Sequence, residues 1–240
     1  MSPPPDALIL CGGLGTRLQG VLAGVPKALA PVGGRPFLAI LLEQLADGGV
    51  ARVVLCTGVG SEQVRAFAAG HHGGLDLVIS AEPAPLGTGG ALRLALPLLG
   101  TPRALVLNGD SMVAGLDFAA FAQFHDQHPD QASFVLVPAD ERNDAGTVAL
   151  EPDGRIAAFA EKAAAAGAHC HSAGIYLLPR AYLAAIPAGR PCSLERELVP
   201  EWLKIGIWGF LHPGALMDIG TPERLREAEA QLRPSPHDHA

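Results

Sequence analysis

The sequence predicts an α/β fold: a mixed, mostly parallel sheet with helices on both faces, plus a small β-rich portion in its later half. Three observations lead there. Short, branched, apolar runs alternate with amphipathic stretches up to about residue 137, the pattern of a sheet covered on both sides. Past about residue 138 the pattern changes to short strands around turns. The chain of 240 residues is 49% hydrophobic, enough to bury one large core. The expected organisation is a single domain with one half over about 7–137, another over about 138–232, and a disordered tail at 233–240.

In chain order, "ALILC" (7–11) and "RVVLC" (52–56) read as buried strands. "LDLVIS" (75–80), "RALVLNGD" (103–110) and "ASFVLV" (132–137) read the same way. Between them "PFLAILLEQLADGG", "SEQVRAFAAG", "GTGGALRLALPLL" and "LDFAAFAQFHDQH" read as helices. This order implies right-handed crossovers, and in such sheets ligands sit at the carboxyl ends of the strands. The glycines after 7–11 and "NGDS" after 103–107 therefore belong to one rim. Later, "GTVALEPDGRIAAFAEK" reads as two strands around a "PDG" turn, and "HSAGIYLLP" as a third. "SLERELVPEWL" reads as a helix, and "IGIWGFL" and "ALMDIG" as late strands. "TPERLREAEAQL" is a helix with Thr221 as its cap, Pro222 in its first turn and Glu223 at the favourable end of the dipole.

The net charge of −7 and the lack of a dense Lys/Arg block argue against nucleic acid as a partner. No apolar run reaches the roughly 20 residues that cross a bilayer, so no membrane partner is expected either. "MSPPPD" has neither the basic nor the apolar region of a signal peptide, and a cytoplasmic location is expected. Cys11, Cys56, Cys170 and Cys192 form no C-x-x-C pair and read as small buried hydrophobes. In "HCH" (169–171), strand alternation points Cys170 away from both His, against a metal site. The oligomeric state stays open, a homodimer included.

Gly12, Gly13 and Gly15 leave backbone N–H groups free to turn toward an anion. Arg17 adds a planar fork for phosphate oxygens and Lys27 a mobile charge. A dinucleotide fingerprint would need a final Gly where Leu18 stands, and no Gly-Lys pair exists to make a P-loop. An ordinary tight turn with a solvated Arg remains an alternative at this point. Two aspartates lie at inferred strand ends, Asp110 in "NGDSM" and Asp218 in "LMDIGTPE". Either could be a turn or cap residue; as a pair they suit Mg²⁺, which takes one or two carboxylates plus phosphate oxygens.

"GGLGTRL" followed by "VPKALAPVGGRPF" resembles the signature of the sugar-1-phosphate nucleotidyltransferases. The resemblance covers about nine-tenths of the chain and implies a Rossmann-like fold of the nucleotide-diphospho-sugar transferase type. It implies that Gly12, Gly13, Gly15, Thr16 and Arg17 hold a nucleoside triphosphate, with Lys27 beside its α-phosphate. Asp110 and Asp218 would hold Mg²⁺, and Arg17, Lys27, Asp110 and Asp218 would form the catalytic set. Leu10, Glu82, Leu86, Gly87, Thr88, Asn108 and Gly109 would complete the nucleotide site. The earlier half is thereby the nucleotide-binding one and the later half binds the sugar phosphate.

"EPAPLGTGGAL" (82–92) lacks the Gln of thymidylyl-transferring relatives and is similar to the guanylyl-transferring branch, above all the heptose-1-phosphate enzymes. On the sugar side the matching positions are Gly146, Glu161, Lys162, Ser172 and Gly174, with Glu195 an added candidate. Three residues depart from the family pattern: Ala145 for an aromatic, Ala163 for Pro and Ser172 for Asn. All three touch the sugar pocket. The expected reaction is guanylyl transfer from GTP to D-glycero-α-D-manno-heptose 1-phosphate. Mannose 1-phosphate is the rival acceptor, and uridylyl or thymidylyl transfer to another sugar comes third. A catalytically silent nucleotide-binding sensor is an alternative of another class, against which the joint retention of Arg17, Lys27, Asp110 and Asp218 argues. No hexapeptide repeat follows to suggest the β-helix of some relatives.

Overall fold

The computed structural model describes residues 4–13, 18–22, 24–70, 73–140, 146–161 and 167–232. Its first part runs β1 (Asp6–Leu10), α1 (Gln19–Leu22), β2 (Pro31–Val32), β3 (Arg35–Pro36), α2 (Phe37–Asp47), β4 (Arg52–Thr57), α3 (Ser61–Gly70) and β5 (Asp76–Ala81). It continues with α4 (Gly87–Ala95), β6 (Arg103–Asn108), β7 (Ser111–Val113), α5 (Phe118–His125) and β8 (Ala132–Pro138). The later part holds β9 (Thr147–Leu150), β10 (Ile156–Ala160), β11 (Cys170–Pro179), α6 (Arg180–Ala185), α7 (Val199–Ile205), β12 (Ile207–Leu211), β13 (Leu216–Asp218) and α8 (Pro222–Gln231).

Among the described residues nine strands form one sheet, ordered β10-β9-β11-β6-β1-β4-β5, with β8 on β11 and β12 on β8. β6, β1, β4 and β5 are mutually parallel, as the strand–helix alternation predicts. β11 enters antiparallel to β6 and also pairs with β8 and β9. The β-rich portion is thereby joined edge to edge to the parallel strands. β12 lies parallel to β8, a pairing that the sequence did not reveal.

Alternation along the strands explains how both faces are covered. Ala7 and Ile9 pack into one core cluster with Phe37, Leu41 and Leu45 of α2, while Leu8 packs into the other with Leu92 and Ala95 of α4. β4 divides likewise, Val53 and Leu55 on the α2 side and Val54 and Cys56 on the α4 side. A period of two on strands, met by apolar stripes on helices from either side, is what makes these runs apolar throughout. Cys11, Cys56, Cys170 and Cys192 are all buried, as small hydrophobes are.

Two expected helices are interrupted at prolines. The run 87–99 is helical to Ala95 and tightens into a 3₁₀ turn, Leu96–Leu98, around Pro97. The run 193–203 starts as a π-helical turn, Leu194–Leu198, and restarts as α7 with Pro200 in its first turn. Proline has no N–H for the preceding turn and crowds its carbonyl, so each helix must break or begin there. Thr221 caps α8 as expected, its hydroxyl accepting from Arg224 N at 3.4 Å. Among the described residues no helix is long and apolar enough to cross a membrane.

Candidate active site

The rim is built where β1 and β6 end side by side. Gly12 and Gly13 follow β1 directly, and Gly109 follows β6 and donates its N–H to Leu10 O at 3.1 Å. A Cβ at Gly109 would lie 2.7 Å from that same carbonyl oxygen, so only glycine lets the two chain ends approach. Asp110 is thus delivered to the carboxyl edge of the sheet, beside the glycine loop. Beyond it β7 pairs antiparallel with β13, placing Asp218 opposite Ser111. Ile219 N donates to Asp110 O at 2.9 Å and fastens the two aspartate segments together.

Both carboxylates meet cations. Lys27 Nζ lies 2.5 Å from Asp110 Oδ2, and Arg224 Nη1 lies 3.1 Å from each oxygen of Asp218. Gly220 N also donates to Asp218 Oδ1 at 2.8 Å. These four side chains line a cavity of about 440 Å³. Asp110 and Asp218 offer hard oxygen donors from two strand ends to one cavity, the donor chemistry that suits Mg²⁺. Among the described residues no cluster of three or more His, Cys, Asp or Glu forms, so substrate oxygens and water would have to complete such a shell.

The opposite wall comes from β11, Glu161 and the 193–198 turn. Ser172, Ala173, Gly174 and Tyr176 line the cavity with Gly146, Phe159, Glu161 and Glu195. Ser172 N donates to Gly146 O at 2.8 Å, fixing the start of β9 against β11. Glu161 receives Arg196 Nε at 2.5 Å and Nη2 at 3.3 Å. The neighbouring Glu195 turns the other way and accepts from the Thr88 hydroxyl at 3.1 Å, while that hydroxyl accepts from Leu194 N at 2.7 Å. The 193–198 turn therefore straps the start of α4 to Glu161. Burial pushes the Glu195 carboxyl above its usual range, and the charges of Glu161 and Asp110 add to this against the Thr88 hydrogen bond. Tyr176 is pushed well up by burial, opposed by its bond to Ser172.

Of the residues expected from the sequence, Gly13, Lys27, Thr88, Asn108, Asp110, Gly146, Glu161, Ser172, Gly174, Glu195 and Asp218 meet around this one cavity. Leu10, Gly12, Glu82, Leu86, Gly87 and Gly109 do not line it but lie in the segments that carry lining residues. Glu82, for instance, accepts from Leu86 N at 2.9 Å and closes the turn that leads into α4. Gly15, Thr16, Arg17 and Lys162 lie outside the described residues, as do Ala145, Ala163 and the tail at 233–240. Arg224, Tyr176 and Phe159 were not foreseen. Arg224 carried a signal, since a cation in the first turn of a helix opposes the dipole and suggests an anion nearby. In "HCH", Cys170 joins the core on the α4 side, while His171 Nε2 sits 3.2 Å from Asp140 Oδ1.

A doubly covered α/β sheet with glycines and two carboxylate–cation pairs at one rim defines a protein that handles phosphate-bearing ligands. The chain belongs to the nucleotidyl transferase family, which matches residues 6–235. It is 34% identical over 231 residues to the mannose-1-phosphate guanylyltransferase of Mycobacterium tuberculosis, covering 95% of this chain and 64% of that protein. It is 31% identical over 232 residues to the D-glycero-alpha-D-manno-heptose 1-phosphate guanylyltransferase of Aneurinibacillus thermoaerophilus, covering 95% and 98%. The chain thus spans less than two thirds of the first relative and nearly all of the second. The crystal structure of HddC from Yersinia pseudotuberculosis superposes with a TM-score of 0.83 at 28% identity, covering 95% of this chain and 99% of that one. HddC has also been solved complexed with GMP-PN, at a TM-score of 0.82.

Proposed function

We propose that this protein transfers a guanylyl group from GTP to D-glycero-α-D-manno-heptose 1-phosphate, giving GDP-heptose and pyrophosphate. One observation carries the reading. Asp110, Asp218 and Lys27 share a single cavity with Glu161, Ser172 and Glu195, so charge for phosphates and acceptors for sugar hydroxyls face each other. The name of the Aneurinibacillus relative, matched over 98% of its length, supports the heptose. The name of the mycobacterial relative makes mannose 1-phosphate the rival acceptor.

In this reading the half over about 7–137 holds the nucleotide and the half over about 138–232 the sugar phosphate, within one domain working in the cytoplasm. Gly12, Gly13, Gly15, Thr16 and Arg17 cradle the triphosphate, and the 82–88 turn presents its backbone to the base. Lys162 grips the acceptor's phosphate, while Glu161, Ser172 and Glu195 take the sugar hydroxyls. An oxygen of the sugar phosphate attacks the α-phosphorus, and the bond to the pyrophosphate oxygen breaks on the opposite side. No side chain need remove a proton, since the second pKa of a phosphate monoester is about 6. The residues align the two phosphates and offset their charge, with Lys27 placed for the α-phosphate. Asp110 and Asp218 would hold Mg²⁺, which when bound supplies further charge neutralisation.

The test is pyrophosphate release with Mg²⁺, crossing the common nucleoside triphosphates against manno-heptose, mannose, glucose and N-acetylglucosamine 1-phosphates. Release with GTP and the heptose is expected. Turnover with GTP and mannose alone would move the acceptor, and silence with every pair would sink the enzymatic reading.

A further inference from the structure

The start of α4 is joined to the 190–195 segment along residues 86–90. Cys192 N donates to Leu86 O at 2.8 Å, and Gly89 N and Gly90 N donate to Cys192 O at 2.9 and 3.3 Å. Gly87 has φ +70°, and a Cβ there would lie 2.6 Å from Cys192 O, a conformation and a clearance that glycine alone tolerates. Thr88 stands in the middle of this seam. Its hydroxyl accepts from Leu194 N at 2.7 Å and donates to Glu195 Oε2 at 3.1 Å. The hydroxyl has one proton, and Glu195 receives it. The same contact caps the π-helical turn Leu194–Leu198, satisfying Leu194 N while the Ser193 hydroxyl accepts from Arg196 N at 3.2 Å. Burial raises the Glu195 carboxyl and the Thr88 hydrogen bond opposes this, favouring the charged form that accepts from hydroxyls.

We propose that Thr88 is a positioning residue for the acceptor site: its hydroxyl aims the Glu195 carboxylate at the sugar and does not hold the nucleotide. The inference rests on the nucleotidyl-transfer reading above and deepens it. Glu195 lines the cavity on the same wall as Glu161, Ser172 and Tyr176, across from Lys27 and Asp110. A glutamate side chain has rotamer freedom to lose, and a fixed partner on one oxygen removes much of it before the sugar arrives. An ionised carboxylate accepts about four hydrogen bonds, so the one from Thr88 leaves capacity for a sugar hydroxyl. To donate to a base acceptor such as guanine O6, the Thr88 hydroxyl would have to give up Glu195. The start of α4 thereby serves the acceptor through the Thr88 side chain, although it lies in the half of the chain assigned to the nucleotide.

The experiment uses the full chain with Thr88→Val, Thr88→Ser, Glu195→Gln, and Thr88→Val combined with Glu195→Gln. Valine keeps threonine's shape without the hydroxyl, and serine keeps the hydroxyl. GTP binding is measured by calorimetry. The KM for GTP and for the heptose 1-phosphate is measured by pyrophosphate release, with mannose 1-phosphate where the wild type turns over only that acceptor. Thr88→Val should raise the acceptor KM about 10- to 100-fold, the range for a hydrogen bond to a charged group, with the Kd for GTP unchanged. Thr88→Ser should restore the acceptor KM. Adding Thr88→Val to Glu195→Gln should raise it little further, because Thr88 acts through Glu195. Thr88→Ala, whose vacated space admits water to Leu194 N, carries the same test where Thr88→Val folds poorly. A loss of GTP affinity as large as the rise in acceptor KM would overturn the inference. So would fully additive effects in the double variant, or an acceptor KM that Thr88→Ser leaves raised. Wild-type protein that releases no pyrophosphate with any acceptor would instead overturn the nucleotidyl-transfer reading, and this inference with it.

Discussion

Gly174→Ala tests how the sheet holds the site together. Gly174 lies inside β11 with φ +71°, a left-handed backbone within an extended strand. It sits where the register of β11 against β8 shifts, between Ser172 and Tyr176. An added Cβ would lie 2.5 Å from Asn108 Nδ2, 2.9 Å from its Cγ and 3.2 Å from its Cβ. Asn108 is the last residue of β6, one step from Gly109 and two from Asp110, so it has little room to retreat. The left-handed backbone costs a non-glycine residue about 1–2 kcal/mol. Forcing a methyl against a packed side chain adds about 1–3 kcal/mol. The sum is a loss of about 2–5 kcal/mol. Gly189→Ala isolates the first contribution, because Gly189 has φ +73° and nothing within 4 Å of its Cβ position. Urea denaturation of both variants and the wild type gives the two losses, with unchanged m-values as the check on two-state behaviour. Gly174→Ala should lose clearly more than Gly189→Ala and should also raise KM. Equal losses in the two variants would refute the contact argument and leave only the backbone one.

Three further outcomes are expected. Asp110→Asn should lower kcat about 10²- to 10³-fold, as loss of one electrostatic group at a reaction centre does, with the melting temperature little changed; near-normal turnover would remove Asp110 from the site. Lys162→Ala should raise the KM for the sugar phosphate far more than that for the nucleotide, and equal rises would remove it from the acceptor side. His125 is fully buried beside Ser133, its Nδ1 2.9 Å from the Ser133 hydroxyl, and burial foremost, then Arg103, lowers its pKa from 6.5 to about 4. With the folded value below the unfolded one, its stabilising contribution is full above pH 6.5 and is lost as pH falls toward 4. That loss should reach up to about 3 kcal/mol in denaturation series across this window, and His125→Leu with Ser133→Ala should flatten the curve.

What the sequence by itself determined was whatever a short window can encode. The run Ala7–Leu8–Ile9 is apolar at every position because its alternate residues feed two cores, and that is readable without knowing the cores. Thr221 and Pro222 announce the start of α8, and the glycines after β1 announce a backbone laid open. Pro97 and Pro200 stand in runs expected to be unbroken helices, and the fold breaks both there; the π-helical turn at Leu194–Leu198 needs the cap at Ser193 and the break at Pro200 together. Only the tertiary structure decided what those windows meet. Asp110 and Asp218 become one site because β7 and β13 pair, and backbone pairing between distant strands leaves no mark in either segment alone. The same holds for Thr88 and Glu195, joined by a strap, and for β12, which finds β8 across the sheet. Arg224 is the clearest case. In the sequence it is a cation in a helix's first turn with no anion named for it, and the fold supplies one, a carboxylate in the cavity. Side-chain chemistry is local, but charge acts across whatever space the fold closes, and that space is set by contacts far apart in the chain.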